Sequence, residues 1–260
     1  MALPETSIII RTRNEEKWIG ECLRRIFNQT YKNFEVIIID SGSKDKTIEI
    51  AKSFPVRVIS ILPQDFSYPR TLNIAIRESK SKKYVVILSA HSLPINSSWL
   101  SSGISHFQSH RIAGVYGPLL ALPNSTFWDY YFHTLSYCKE FIMTFPRQYR
   151  IISSDGLGVL GFTNAIIRRD LWGEYQFNEE FGLGGEDGDW ARHFINKGFV
   201  LIKDINFTVR HSHNLNLSGW KKQWSYWSSL TKPQPFSYLS FRKSKTHGKD
   251  AEDLSEEEKK

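Results

Sequence analysis

The apolar residues of this chain fall into short unbroken runs, with polar residues gathered between them. TSIIIRTRN (6–14), FEVIIID (34–40), VRVISIL (56–62) and YVVIL (84–88) each predict a strand. Their apolar cores run without alternation, so the strands are buried on both faces, as in a parallel sheet covered by helices. The stretches between them carry the other period. Trp18, Ile19, Cys22, Leu23, Ile26 and Phe27 line one face of a helix, with Asn14 as its N-cap and Glu15 and Glu16 in its first turn. KTIEIAKSF (46–54) and PRTLNIAIRESKSK (69–82) read as two more helices. Strand and helix in turn predict an α/β fold with a mainly parallel central sheet and helices on both faces.

In such a sheet the ligand crevice lies beyond the carboxyl ends of the strands. Arg11-Thr12-Arg13-Asn14 follows the first strand, Asp40-Ser41-Gly42 the second, and Ser89-Ala90-His91 the YVVIL strand. Packing accounts for each cluster singly but not for their common rim, so a binding cleft is expected there. No Gly-x-Gly-x-x-Gly and no P-loop follows the first strand, which disfavours a dinucleotide or P-loop fold.

From about residue 115 the parallel pattern breaks. WDYYFHTLSYCKEFIMTF (128–145) is aromatic-rich and reads as a helix or a loop over the cleft. GLGVLGFTNAIIRRDLW (156–172) places three glycines before a short strand. Trp190, Ala191, Phe194 and Ile195 then recur at helical spacing, with Gly198 as a C-terminal stop. Gly184-Gly185-Glu186-Asp187 is thus a turn that delivers two carboxylates to a helix N-terminus. After VLIKDINFTV comes Arg210-His211-Ser212-His213.

Composition adds three things. A chain of 260 residues suffices for one α/β domain with a sizeable core. The formal charge of +7 favours an anionic partner, a phosphorylated substrate or an acidic membrane surface, although basic solvated faces give the same balance. Cys22 and Cys138 make no disulfide framework, the N-terminus does not read as a signal peptide, and no run of about 18 apolar residues occurs. A cytoplasmic setting is expected, peripheral to the inner face of a membrane if the basic C-terminal region meets lipid.

The order of these motifs resembles the family 2 inverting glycosyltransferases, which have the nucleotide-binding GT-A fold. Residues 7–47, YVVILSAHSLPINSSWL (84–100), GFTNAIIRRDLW (161–172), FNEEFGLGGEDGDWARH (177–193) and RHSH (210–213) carry the likeness. Bacterial transferases of surface polysaccharide, including rhamnosyltransferase-like members, look most similar. The resemblance implies a GT-A nucleotide-diphospho-sugar transferase fold over 1–213. It implies that Thr12 and Asp40 contact base and ribose, and that Asp187 deprotonates the acceptor hydroxyl, with Glu186 as its competitor. Ser89-Ala90-His91 stands where the family usually has Asp-x-Asp holding Mg²⁺ or Mn²⁺ on the diphosphate. His213, with His211 beside it, matches a late histidine on the metal or diphosphate.

The chemistry also stands without the family. A single carboxylate can take the acceptor's proton. The leaving diphosphate needs preorganised positive groups or a metal, for which Arg11, Arg13, Arg70 and the histidines are candidates. Two alternatives stand for His91: with His211 and His213 it builds a nitrogen-rich site suited to Mn²⁺, Zn²⁺ or Ni²⁺ better than to Mg²⁺, or as a cation it replaces the metal. Asn164 and Trp190 are placed on the sugar or acceptor side, although Trp190 equally suits the core, and Asp189 is read as structural or acceptor-facing. Residues 214–245 mix Trp220, Trp224, Trp227, Phe236 and Tyr238 with lysines and arginines, which suits a membrane interface, packing on the domain or a homodimer. Residues 246–260 read as a disordered charged tail. The expected partners are a UDP- or dTDP-sugar donor and a glycan or lipid-linked acceptor, and nucleic acid is not among them. A polyprenyl-phosphate sugar transferase and a non-catalytic nucleotide-sugar or glycan-binding protein are the alternatives.

Overall fold

The computed structural model describes residues 3–156, 158–230 and 232. Its first half alternates as the apolar runs require: β1 (Thr6–Thr12), α1 (Ile19–Phe27), β2 (Phe34–Asp40), α2 (Thr47–Lys52), β3 (Arg57–Ser60), α3 (Tyr68–Glu78) and β4 (Tyr84–Ser89). Then come β5 (Leu93–Pro94), α4 (Trp99–Ser105), β6 (Ile112–Tyr116), β7 (Leu119–Leu120), α5 (Phe127–Thr144) and β8 (Tyr149–Ile152). The chain continues through β9 (Asn164–Arg168), α6 (Arg169–Glu174), α7 (Glu186–Asn196), β10 (Val200–Asp204), β11 (Val209–Arg210) and α8 (Leu217–Ser229).

The main sheet has the order β3-β2-β1-β4-β9-β6-β10-β8. β1 pairs in parallel with both β2 and β4, and β2 with β3. β9 enters between β4 and β6 and runs against both, while β8 runs against β10 at the edge. A small sheet, β5-β11-β7, carries the chain to the histidines that follow β11.

Unbroken apolar strands feed two cores at once, because successive side chains point to opposite faces. Ile8, Ile10, Val36, Ile38, Val86 and Leu88 pack on one side with Ile19, Leu23 and Trp99. Ile9, Ile37, Ile39, Val85 and Ile87 pack on the other with Leu72, Ile76, Trp172 and Trp190. No polar side chain fits mid-strand in such a layer without a partner. The polar residues are therefore displaced to the strand ends, and the sheet's topology decides which of them meet.

Two expectations need correction here. Asn14 is not the N-cap of α1: it takes a left-handed φ of 53°, and its side chain and amide bind the 43–44 turn instead. The helix starts only after Trp18. The aromatic segment 127–144 is one helix rather than a loop over the cleft, and it packs against β7 and β8.

The C-terminal segment closes on the domain through α8. Trp220 is buried against Phe132 and donates to Asp129 at 2.8 Å. Tyr226 donates to the Leu183 carbonyl at 2.5 Å. Gly185 has φ 101°, and a Cβ there would stand 2.3 Å from the Leu230 carbonyl oxygen, so only glycine permits this approach. Phe236, Tyr238 and the tail expected at 246–260 lie outside the described residues.

Under α8, burial lowers the pKa of His133 to about 4. Below pH 6.5 the unfolded chain takes up a proton that folded His133 refuses. Stability from this residue is therefore whole above pH 6.5 and is lost progressively down to about pH 4, by roughly 3 kcal/mol. Denaturant melts at pH 7.5 and 4.5 should show a smaller acid loss in His133→Leu than in the parent chain. An equal loss in both would show that His133 is hydrated in the fold.

Candidate active site

The three predicted clusters meet on one rim. Thr12 stands opposite Asp40, and Arg11 opposite Ser89, in adjoining parallel strands. Asp40 spends its carboxylate on its own turn, accepting from the Gly42 amide at 3.1 Å and from the Ser43 amide and hydroxyl. Beside it the buried Thr12 hydroxyl has no hydrogen-bond partner. Arg13 makes no hydrogen bond or ion pair among the described residues and remains half-buried at the rim. Arg70 is exposed in the first turn of α3, whose N-cap is Ser67.

Beyond β4 the chain turns, and His91 arrives against the two histidines that follow β11. The His91 and His211 rings stack with centroids 4.4 Å apart, and His213 meets both edge-on. One ligand-capable atom of each lies within 4.8 Å of the others. His91 Nδ1 lies 2.8 Å from Glu15 Oε1. An ionised carboxylate can only accept, so Nδ1 carries the proton and neutral His91 presents an Nε2 lone pair. That Nε2 is buried and has no hydrogen-bond partner. His211 Nδ1 is 3.2 Å from the Ser92 hydroxyl and its Nε2 is 3.1 Å from His213 Nε2. Burial, with the two neighbouring rings adding to it, holds His211 well below the usual histidine pKa, so at neutral pH it is an uncharged donor of a lone pair. A buried unsatisfied nitrogen among three imidazoles fits a divalent cation of borderline softness.

Glu186 and Asp187 open α7, where the helix N-terminus favours negative charge. Their surroundings separate them. Glu186 is buried and its Oε1 lies 3.4 Å from Arg11 Nη1, which also sits over the Tyr68 ring. Burial and the adjacent Asp187 raise its pKa. Asp187 is only half-buried. It accepts from the Gly188 amide at 2.7 Å and the Phe162 amide at 3.4 Å, and burial raises its pKa as well.

Segment 162–164 joins the two halves of the site. The Phe162 amide holds Asp187, and the Thr163 carbonyl accepts from the Ser89 amide at 3.2 Å and the Ser92 hydroxyl at 3.1 Å. The next residue, Asn164, departs from expectation. It is buried, accepts from Trp99 Nε1 and donates to the Phe207 carbonyl, so it faces no sugar. Trp190 is fully buried in the second core and donates to the Tyr175 carbonyl. Glu186 is closed off behind Arg11 rather than open to an acceptor, and Arg11 is thereby engaged by a carboxylate. Asp189 accepts from the Tyr175 hydroxyl at 2.8 Å.

Glu15 is the site residue that sequence reasoning passed over, because an acid after Asn14 reads as a helix first-turn charge. Its place beside His91 follows from the β1–β4 pairing and from the Thr47 hydroxyl that accepts from its amide.

The parallel β1–β4 half, with the antiparallel β9 set into the sheet and polar residues on one rim, is a GT-A glycosyltransferase fold. Residues 7–175 match the model for glycosyl transferase family 2, and the chain belongs to that family. It is similar to the O-antigen chain rhamnosyltransferase WbaN of Salmonella anatum, 26% identical over 216 residues, covering 82% of this chain and 67% of the relative. A dolichyl N-acetyl-alpha-D-glucosaminyl phosphate 3-beta-D-2,3-diacetamido-2,3-dideoxy-beta-D-glucuronosyltransferase of Methanococcus voltae is 31% identical over 249 residues, covering 84% and 70%. Among solved structures, the mannosyltransferase PcManGT of Pyrobaculum calidifontis, in complex with GDP-Man and Mn²⁺, superposes with a TM-score of 0.61 at 19% identity. That superposition covers 88% of this chain and 62% of the other. The chain thus spans about two thirds of the length of these relatives.

Asn164→Ala should destabilise the fold by about 1–3 kcal/mol by leaving the Trp99 indole and the Phe207 carbonyl unpaired, measured by denaturant melts. A stability equal to the parent's would return Asn164 to the ligand side.

Proposed function

We propose that the protein is an inverting glycosyltransferase of polysaccharide biosynthesis, moving a sugar from a UDP- or dTDP-linked donor to a hydroxyl of a glycan or lipid-linked acceptor. The names of the Salmonella and Methanococcus relatives support the reaction class and, for the second, a lipid-linked partner. The observation that carries the reading is the 162–163 link, which sets a half-buried carboxylate beside the strand end that bears Ser89 and His91.

In this reading Thr12, Arg13 and Arg70 meet the nucleotide, and Asp40 shapes the turn against which it rests. Asp187 takes the acceptor proton. Two backbone amides aim its oxygens, and its raised pKa makes it a stronger base than an exposed aspartate. Glu186, buried against Arg11, steadies the turn of α7 that carries Asp187. His91, His211 and His213 would hold a divalent cation, Mn²⁺ more readily than Mg²⁺, with Glu15 fixing the His91 tautomer and Ser89 lining the approach. When bound, such an ion draws negative charge off the leaving diphosphate. A protein located at the inner face of a membrane would meet a lipid-linked acceptor there. Among the described residues no helix is long and apolar enough to cross a membrane.

Asp187→Asn should lower kcat at least ~10²-fold while leaving nucleotide affinity unchanged, read by turnover and by calorimetric titration of UDP and dTDP. A variant that keeps most of its rate would instead favour a polyprenyl-phosphate acceptor, already an anion and in no need of a base. Binding without turnover in the parent chain, donor hydrolysis included, would favour a non-catalytic binding protein. Glu15→Gln should weaken Mn²⁺ binding to the EDTA-stripped protein roughly 10- to 100-fold, and titration of the metal alone reads this directly. Unchanged Mn²⁺ affinity in both Glu15→Gln and His91→Ala would remove the histidines from the metal and leave them as direct contacts to the diphosphate.

A further inference from the structure

Helix α5 is built inside out. At 100° per residue, Phe127, Tyr131, Leu135, Cys138 and Ile142 share one face, and it is the face turned to solvent. Phe127 is 70% exposed, Leu135 57% and Ile142 74%. The opposite, buried face carries Asp129, His133, Glu140 and Thr144.

Both acids of this interior are engaged. Glu140 accepts from both Arg150 and Lys203, and although burial pushes its pKa up, those hydrogen bonds hold it below the usual value. Asp129 accepts from the Trp220 indole and the Leu215 amide. The orientation of α5 is therefore locked by charge, and the apolar side cannot turn inward. That side continues past the helix into Phe145, 75% exposed, and Ile151 in β8, 58% exposed. Monomeric proteins rarely leave a contiguous apolar surface of more than roughly a few hundred Å² in water.

Charge decides what covers it. Both acids of α5 are buried, and neither the 145–148 turn nor α8 contains one. The exposed charges on these elements are Lys139, Arg147, Lys221 and Lys222, all cationic. Trp224 and Trp227 follow the last two along α8, each about two fifths exposed. A second copy on this face would bring like charges together with no acid between them. A layer of lipid phosphates would neutralise them while the apolar side chains enter the acyl boundary.

We propose that the outer face of α5, extended by Phe145 and Ile151 and flanked by the lysines and tryptophans of α8, docks the protein on an anionic lipid surface. Its main part, α5 with Phe145 and Ile151, lies outside the C-terminal segment from which lipid contact was expected, and α8 alone belongs to both. The inference rests on the membrane-side acceptor of the proposed function for its purpose, and vesicle binding and donor turnover are read separately so that either can fail alone.

The test is co-sedimentation of the full chain with vesicles of phosphatidylcholine alone or with about one third phosphatidylglycerol. The parent should pellet with the anionic vesicles and not with the neutral ones, and added salt should release it. Leu135→Glu with Ile142→Glu should abolish pelleting, and Lys139→Glu with Arg147→Glu should weaken it at least about tenfold. All four positions are exposed, so melting temperature and donor hydrolysis in solution should match the parent. Failure of the parent to pellet overturns the proposal, as does undiminished pelleting of the Leu135→Glu/Ile142→Glu variant. A parent that light scattering shows to be a dimer, split by the same pair and indifferent to vesicles, would assign the face to a second copy instead. Vesicle binding without donor turnover would leave the docking face standing and reject the transferase reading.

Discussion

Everything in the site depends on the pairing of β1 with β2 on one side and β4 on the other. These strands are buried on both faces, so their interiors admit only apolar side chains. Polar residues are forced to the ends, and parallel pairing puts those ends on one rim. Thr12, Asp40 and Ser89 become neighbours through backbone hydrogen bonds alone, before any of their side chains touches another. Arg11 and His91 are then placed as consequences of the same register.

Besides the pairing of β9 with β4, the second half of the chain meets that rim through a few polar contacts. Phe162 and Thr163 join α7 to the end of β4 with three hydrogen bonds. Ser92 joins His211 to the same turn. These bonds lie in a largely desolvated place, where each is stronger than at the surface and an unpaired group is correspondingly costly. Thr12 Oγ1 and His91 Nε2 are unpaired there, and in the proposed function they meet the donor's nucleotide and the cation on its diphosphate.

The unbroken apolar runs made the first four strands and their parallel order legible, and the polar clusters at their ends followed from that order. Glu186-Asp187 at a helix N-terminus was legible from the glycines before it and the helical spacing after it. What stayed hidden depended on contacts distant in sequence. Asn164 and Trp190 look like site residues beside their glycine-rich neighbours, yet each is held by a partner that no local pattern names: the Trp99 indole and Phe207 carbonyl for one, the Tyr175 carbonyl for the other. Glu15 was hidden for the converse reason, an ordinary helix acid by its neighbours in sequence and a histidine's partner by its neighbours in space. The antiparallel β9 within the sheet was equally unreadable, since NAIIR suits either strand direction.

The approach of Leu230 to Gly185 bears on how such a protein can change over evolutionary time. The backbone of the C-terminal segment rests on the loop that leads into the two carboxylates, at a separation that admits no side chain. The two pieces of chain cannot then be exchanged as independent modules. A lineage that replaced α8 with a different appendage would have to rebuild the glycine turn beneath it. One that altered the turn would have to release the helix. New partners for the C-terminal region and new positions for the carboxylates are inherited together.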